Sequence, residues 1–551
     1  MSIPSLRLLL PLLISLLILP LAAGHAGPER PAASAEEQAF GLRSTTGVAR
    51  EAARNRAGQL HAFLDAERPG GVAKSPVVVR VTKAELRSIE APHPEGLVKV
   101  GFSKVLPAPV AFARDQHRGT FAATEDGGFV WSVAIRSPGA SAMRLRFAQV
   151  RLPDDADLYV YNDFGDAKGP YQGQGPHGNG SFWSHTVAGD TAVVQVRYFG
   201  RASEEEIRAT SVVVTHVGHL TSKSRAVASP EAFCSAPDGG NADCVEDGSC
   251  YNESAVADAK DAVALILWPQ GPFFYVCSGG LLADTAGSET PYFLTANHCI
   301  SRAKDAKNVE AHFGFATTSC GNDYPIVCED WRGLVGNGVL GATLLATGSG
   351  SDFTLLQLSG PPPAGSAFLG WTSTPVASSD GDSLHRISHP NAAPQAYSRH
   401  TVDTGVTTCG TLPRGNFIYS RDEVGGTEGG SSGSPVVNSL GQVVGQLYGA
   451  CGFNLEDVCD ADSNATVDGA FASYFGQVAG FLAGEPSAEV CDDGQDNDLD
   501  GLIDCQDPDC AGHAACGGGM CTGGQKFDAC TSNADCCSNK CKGPANNMTC
   551  R

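Results

Sequence analysis

No cysteine lies between Met1 and Phe233, yet twenty follow in the rest of the 551 residues. The first part of the chain therefore has no covalent cross-link, while the remainder can be cross-linked throughout, which implies two differently built regions. Basic charge is also scarce: 38 Lys and Arg against 60 Asp and Glu give a formal net charge of −22. That balance excludes a nucleic-acid binder or a basic membrane-surface protein, whose affinity needs clustered cations. Long apolar runs are confined to the start, where Arg7 is followed by an apolar stretch from Leu8 to Leu21 and small residues up to Ala26. This is the layout of a secretory signal peptide (residues 1–26), and no later stretch is long enough to span a bilayer. Cysteines in a secreted, extracellular chain are most simply disulfides. An H-E-x-x-H motif is absent, and His385 and His389 of "HRISHPN" lack a third ligand nearby, which argues against a metal hydrolase.

What is present divides the chain further. Residues 27 to about 95 are rich in Ala, Glu and Arg, with little apolar periodicity, and read as a loosely ordered pro-segment with short helices. From about 96 to 218, runs such as "GGFVWSVAIRS", "MRLRFAQVRL" and "TAVVQVRYFG" alternate apolar and polar residues between Gly, Asp and Pro turns, predicting a β-sandwich whose Trp131, Tyr159, Tyr161 and Trp183 are core. "HLTSKSRAVASPEAF", 219–233, has the character of an exposed, cleavable linker, with Lys223 and Arg225 as processing sites. A second, larger all-β unit follows to about 484, after which hydrophobic residues nearly vanish.

Within that unit "GGTEGGSSGSPVVN", 425–438, is too rich in small residues for a strand or a helix. A serine there becomes a nucleophile only if a histidine, oriented by a buried carboxylate, takes its proton. His298 ends the apolar strand of "FLTANHC", directly before Cys299, and Asp352 opens the apolar strand of "GSGSDFTLLQL". His, Asp and Ser thus occur in that chain order, separated by 54 and 80 residues if the serine is Ser432. This is the order of the chymotrypsin-type triad.

"TANHC", "SDFTLLQL" and "GSSGSP" resemble the three catalytic blocks of trypsin-fold serine peptidases, most closely secreted bacterial lysyl endopeptidases, over about residues 240–484. The resemblance implies an all-β fold with a two-barrel trypsin-like peptidase domain (226–484), preceded by a pro-region with a β-sandwich-like domain (27–225) that assists folding and holds the enzyme latent. It implies His298 as general base, Asp352 orienting it, Ser432 as nucleophile, and the N–H groups of Gly430 and Ser432 as oxyanion hole. No cofactor is needed for this chemistry, and the partners are protein or peptide substrates. Ser431 stands where many relatives carry an aspartate.

The position six before the nucleophile, where trypsin-like enzymes place the acid that reads a basic P1 side chain, is Gly426. Lysyl endopeptidases use other acids. One maps onto Glu428; the second falls near Asn464 and Ala465, flanked by Asp462 and Asp468. Tyr448 stands where relatives often have a histidine stacked on a tryptophan, here assigned to Trp371. The family further implies the disulfides Cys277 with Cys299, Cys250 with Cys320 and Cys244 with Cys451, leaving Cys234, Cys328, Cys409 and Cys459, of which Cys328 with Cys409 is a guess.

Two small modules end the chain. In residues 485–515, Asp496, Asp498, Asp500, Asp504 and Asp507 have the spacing of oxygen ligands around a structural Ca²⁺, although the stretch reads equally as a solvated acidic linker. In the module 516–551 the stretch 521–550 carries cysteines in the order C, C, CC, C, C, resembling a knottin, a module that would attach to a surface or substrate or serve as a cap. The rival to a peptidase is a secreted adhesion protein whose peptidase-like domain is inert.

Overall fold

The computed structural model describes residues 38–43, 50–70, 75–112 (apart from 92, 94 and 95), 119–221, 241–320 (apart from 318), 338–483 and the strand pair 541–542 and 549–550. Alternating apolar residues in 263–483 close into two six-stranded barrels. In the first, Glu310–Phe313 pairs with Val263–Gln270, then Phe273–Leu282, Tyr292–Ala296, Phe353–Leu358 and Ala342–Gly348. The neighbouring strand Gly338–Leu340, separated from Ala342 by Gly341 at φ +86°, returns to Glu310–Phe313 and completes the ring. In the second, Val443–Gly452, Pro435–Asn438, Ser383–Ser388, Ala396–Val402, Phe417–Val424 and Asn464–Ala470 pair in that order, and the last returns to the first.

The helix Phe471–Leu482 follows the last strand and buries Phe471, Tyr474, Phe475, Val478 and Leu482 in one core shared with both barrels. Trp371, fully buried, packs on Phe471 and Phe475 and donates its indole N–H to the Ala283 carbonyl at 2.7 Å.

Residues 98–220 form the expected sandwich. One sheet holds Thr120–Ala123, Phe129–Arg136, Thr191–Tyr198, Ala156–Tyr161 and Ala167–Tyr171; the other holds Ala142–Arg151, Ser211–Leu220 and Val98–Ala111. Trp131, Tyr159, Tyr161 and Trp183 are all buried, but in three clusters: Trp131 between the two sheets, Tyr159 and Tyr161 on the outer face of their sheet with Leu64, and Trp183 with Leu265 and Phe274. The sandwich is not a separate bead. Val98–Ala111 pairs with Phe273–Leu282 in the register Phe102 to Phe273 and Val98 to Val276, so one sheet runs from sandwich into barrel.

The preceding segment is more ordered than its composition suggests. Helix Arg50–Glu67 is tied to the sandwich by Arg197, whose guanidinium bonds Glu67 at 2.7 Å. Gln38–Ala39 and Leu42–Arg43 add short strands to Trp371–Thr372 and Ala367–Phe368, and Arg43 pairs with Asp258 and Asp261 at 2.8 and 2.7 Å.

Four disulfides join described residues. Cys277–Cys299 and Cys250–Cys320 are as expected; Cys244, however, bonds Cys459, and Cys451 bonds Cys409. The expected Cys244–Cys451 bridge is therefore corrected, and Cys409 is not available to Cys328. The reason is topological. Cys451 lies on the strand Val443–Gly452 beside Tyr448 and Phe417, in the cluster that contains Cys409, whereas Cys459 sits in the following loop against the backbone N–H of Cys244. Cys234 and Cys328 lie outside the described residues, as does most of both C-terminal modules; of these, Cys541–Lys542 pairs with Thr549–Cys550. Non-reducing peptide mapping is expected to recover Cys244 linked to Cys459 and Cys409 linked to Cys451; a Cys244–Cys451 peptide would contradict this topology.

Candidate active site

His298 follows the barrel strand Tyr292–Ala296 and Asp352 precedes its neighbour Phe353–Leu358, with Ala296 opposite Phe353, so the pairing of two strands brings both side chains to one end of the barrel. His298 Nδ1 is 2.7 Å from Asp352 Oδ2, and the backbone N–H of His298 donates to Oδ1 at 2.9 Å. One carboxylate thus fixes both the ring and the chain that carries it. Asp352 has φ +55°, a left-handed conformation costly for a non-glycine residue.

What holds that conformation comes from the other barrel. Gln446 Nε2 donates to the carbonyls of Ser351 and Asp352 at 2.9 and 3.2 Å, and Gln446 Oε1 accepts from the Tyr474 hydroxyl at 2.5 Å. Tyr474 also stacks on Phe353, ring centroids 4.1 Å apart, and burial pushes its phenol well above the ordinary range, so it remains a neutral donor. The Asn297 N–H donates to the Asp352 carbonyl at 2.9 Å. Neither Gln446 nor Tyr474 was predicted to matter; in a linear reading they are ordinary strand and helix residues.

Ser432 lies in the turn before Pro435–Asn438 of the second barrel, and with His298 and Asp352 it lines one cleft of about 800 Å³. The turn is rigidly backed. Ser432 O accepts from Ser278 N at 2.8 Å, Gly430 O from Ser278 Oγ at 2.9 Å, and Gly429 O from Asn391 N at 2.7 Å. Because a trans peptide points its C=O and N–H in opposite senses, anchoring the Gly429 carbonyl fixes the Gly430 N–H away from Asn391. Gly430 has φ +99°, and a Cβ there would meet His389 O at 2.7 Å and Asn391 N at 3.0 Å. Only glycine fits.

Ser431 is fully buried and accepts from Ser388 Oγ at 3.0 Å. Ser434 accepts from Arg386, which is itself paired with Asp468 at 2.6 Å. His389 is buried in the supporting loop, bonded to Ala393 O, and burial holds its imidazole down at about 4; His385 contacts Tyr397 instead, so the two histidines do not converge on a metal. Cys277, His298 and Cys299 do converge, but the two cysteines form a disulfide and offer no thiolate.

The expected substrate-binding residues separate. Tyr448 lines the cleft, its ring edge-on to His298 with centroids 5.9 Å apart. Trp371 does not reach the cleft: its indole is spent on the core and on Ala283, which corrects its assignment as a stacking partner. Glu428 lines the cleft but is 7% exposed, and its carboxylate accepts from Asn241 Nδ2 at 2.5 Å and Ala242 N at 3.3 Å. Of the acids flanking Ala465, Asp468 is buried against Arg386 and Asp462 is exposed; neither restores a charge at that place. Asp496, Asp498, Asp500, Asp504 and Asp507 lie outside the described residues. Gly96, from the segment entering the sandwich, also lines the cleft, and a Cβ on Gly429 would sit 2.6 Å from Val98 Cγ2.

Both the sandwich and the barrel region of the chain have matches among known protein families. Residues 75–221 match the lysyl endopeptidase N-terminal domain and residues 239–463 the lysyl endopeptidase C-terminal domain. The lysyl endopeptidase of Pseudomonas aeruginosa is 27% identical over 378 residues, covering 65% of this chain and 76% of that protein. Among solved structures, the active form of the Rv3671c protease from M. tuberculosis aligns at 18% identity and TM-score 0.29, over 47% of this chain and 97% of that one. The HtrA-type protease AlgW with decapeptide aligns at 16% identity and TM-score 0.28, over 41% and 66%. With both family domains in register with the sandwich and the paired barrels, the chain belongs to the lysyl endopeptidase-like serine endopeptidases of trypsin-like fold.

Proposed function

We propose that the protein is an exported endopeptidase that cuts after lysine through a His298, Asp352, Ser432 triad. The observation that carries the reading is the doubly bonded Asp352 carboxylate facing His298 in the same cleft as Ser432. With Nδ1–H donating to Asp352, His298 Nε2 is left as the base. Ser432 Oγ attacks the scissile carbonyl as Nε2 takes its proton; the amine leaves with that proton, and water then hydrolyses the acyl-enzyme by the same relay. Among the described residues the N–H groups of Gly430 and Ser432 donate to no backbone acceptor, which suits them to the oxyanion.

The N-terminal region keeps the precursor latent in this reading, with Gly96 and Val98 lying against the cleft beside Gly429 and processing in the 219–233 linker relieving it. Export is supported by the leader pattern and the disulfides; Ca²⁺ binding by the Asp-rich stretch and attachment through the last module are proposals resting on spacing alone.

On processed protein, Ser432→Ala is expected to abolish cleavage of unstructured peptides followed by mass spectrometry, and Asp352→Asn to lower kcat about 10⁴-fold by favouring the wrong imidazole tautomer. Wild-type rates in either variant would remove the triad. Gly430→Ala should lower kcat about a hundredfold or more while its disulfides still form, because the added Cβ displaces a donor backbone; unchanged kcat would place the oxyanion elsewhere.

A further inference from the structure

A lysine ammonium taken out of water needs a carboxylate at the end of its pocket, and none of the positions expected to supply one presents a carboxylate to a substrate without complication. Gly426 has no side chain, Ala465 stands where a family acid falls, and Glu428 is engaged by Asn241 and Ala242. A narrow hollow of about 30 Å³ nevertheless continues from the active-site cleft, sharing Thr427, Ala450, Leu455 and Val458 with it. Its further wall is made by Ala465, Thr466 and one acid, Asp422.

Asp422 lies on the strand Phe417–Val424, beside the strand that carries Ala465. Its Oδ1 accepts from His400 Nδ1 at 2.7 Å and from Thr466 Oγ1 at 2.6 Å, while its Oδ2 has no hydrogen bond among the described residues. A side chain at position 426 would begin 3.9 Å from that Oδ2. The missing acid of one position and the missing acid of another thus leave space around a single carboxylate held from a third. Burial opposes its ionisation, but His400 and Thr466 outweigh this and hold the carboxyl below its ordinary range. The hollow takes a group of one or two water volumes, the size of an ammonium. The disulfide Cys244–Cys459 braces it, with Cys244 Sγ 3.0 Å from where a Gly426 Cβ would stand.

We infer that Asp422 is the specificity-determining acid of the S1 pocket, its Oδ2 receiving the ammonium of a P1 lysine. The inference rests on the proposed cleavage after lysine and names the residue that would read it.

The test compares processed wild type, Asp422→Asn, Thr466→Val and Glu428→Gln on two peptides that differ only in P1 lysine or norleucine, with fluorophosphonate labelling to count competent active sites. Asp422→Asn is expected to lower kcat/KM on lysine about 100-fold and to change the norleucine rate less than about threefold. Thr466→Val, which keeps the charge but frees its orientation, should lower the lysine-to-norleucine ratio several-fold, mainly through KM. Glu428→Gln should leave that ratio intact. A labelled Asp422→Asn enzyme that still prefers lysine, or a preference lost in Glu428→Gln instead, overturns the inference alone. Should Asp422→Asn fail to label, an unchanged ratio in Thr466→Val overturns it. Equal wild-type rates on both peptides would overturn the lysine reading itself, and the inference with it.

Discussion

The site depends on one carboxylate being held in a conformation its own backbone disfavours. Asp352 bonds the ring and the main chain of His298 at once, and it does so at φ +55°. The strain is local, but its support is not. Gln446 belongs to the second barrel and Tyr474 to the helix that closes the core, so first-barrel chemistry stands on second-barrel packing. The two barrels are joined by this network as well as by their shared apolar interior.

A comparable division runs through the turn that carries Ser432. The proposed nucleophile and oxyanion donors belong to 430–432, while the groups that set the direction of that backbone are Ser278 of the first barrel and Asn391 of the supporting loop. Ser431 of the turn is anchored by a neutral hydroxyl from Ser388, at the end of the strand Ser383–Ser388. The geometry of the turn is thus already present in the uncleaved chain.

Much of this was legible in the residues. Alternating apolar runs marked the strands, and the blocks around His298, Asp352 and Ser432 stood out because glycine, serine and an isolated carboxylate at strand ends have few other uses together. What could not be read were choices among residues far apart in sequence. The resemblance implied Cys451 as the partner of Cys244, and only the path of the loop after Cys451 brings Cys459, eight positions on, to Cys244 instead. Trp371 looked like a stacking surface, but a tryptophan serves equally as core filler, and the helix of Phe471 and Phe475 takes it. Asp422 carried no local signal, since an acid inside "YSRDEV" reads as a solvated strand end until the neighbouring strand surrounds it.

The sheet shared by sandwich and barrel bears on what a single peptide cut can accomplish. Breaking the chain between the two regions removes a covalent tether but leaves the ladder of Val98–Phe102 against Phe273–Val276, with Phe274 edge-on to Trp183. In the proposed processing, departure of the N-terminal part requires separating these two strands as well as cutting the chain. It would also free the edge of Phe273–Val276 that faces away from Val263–Gln270, a template for β-pairing that has to be kept occupied or shielded.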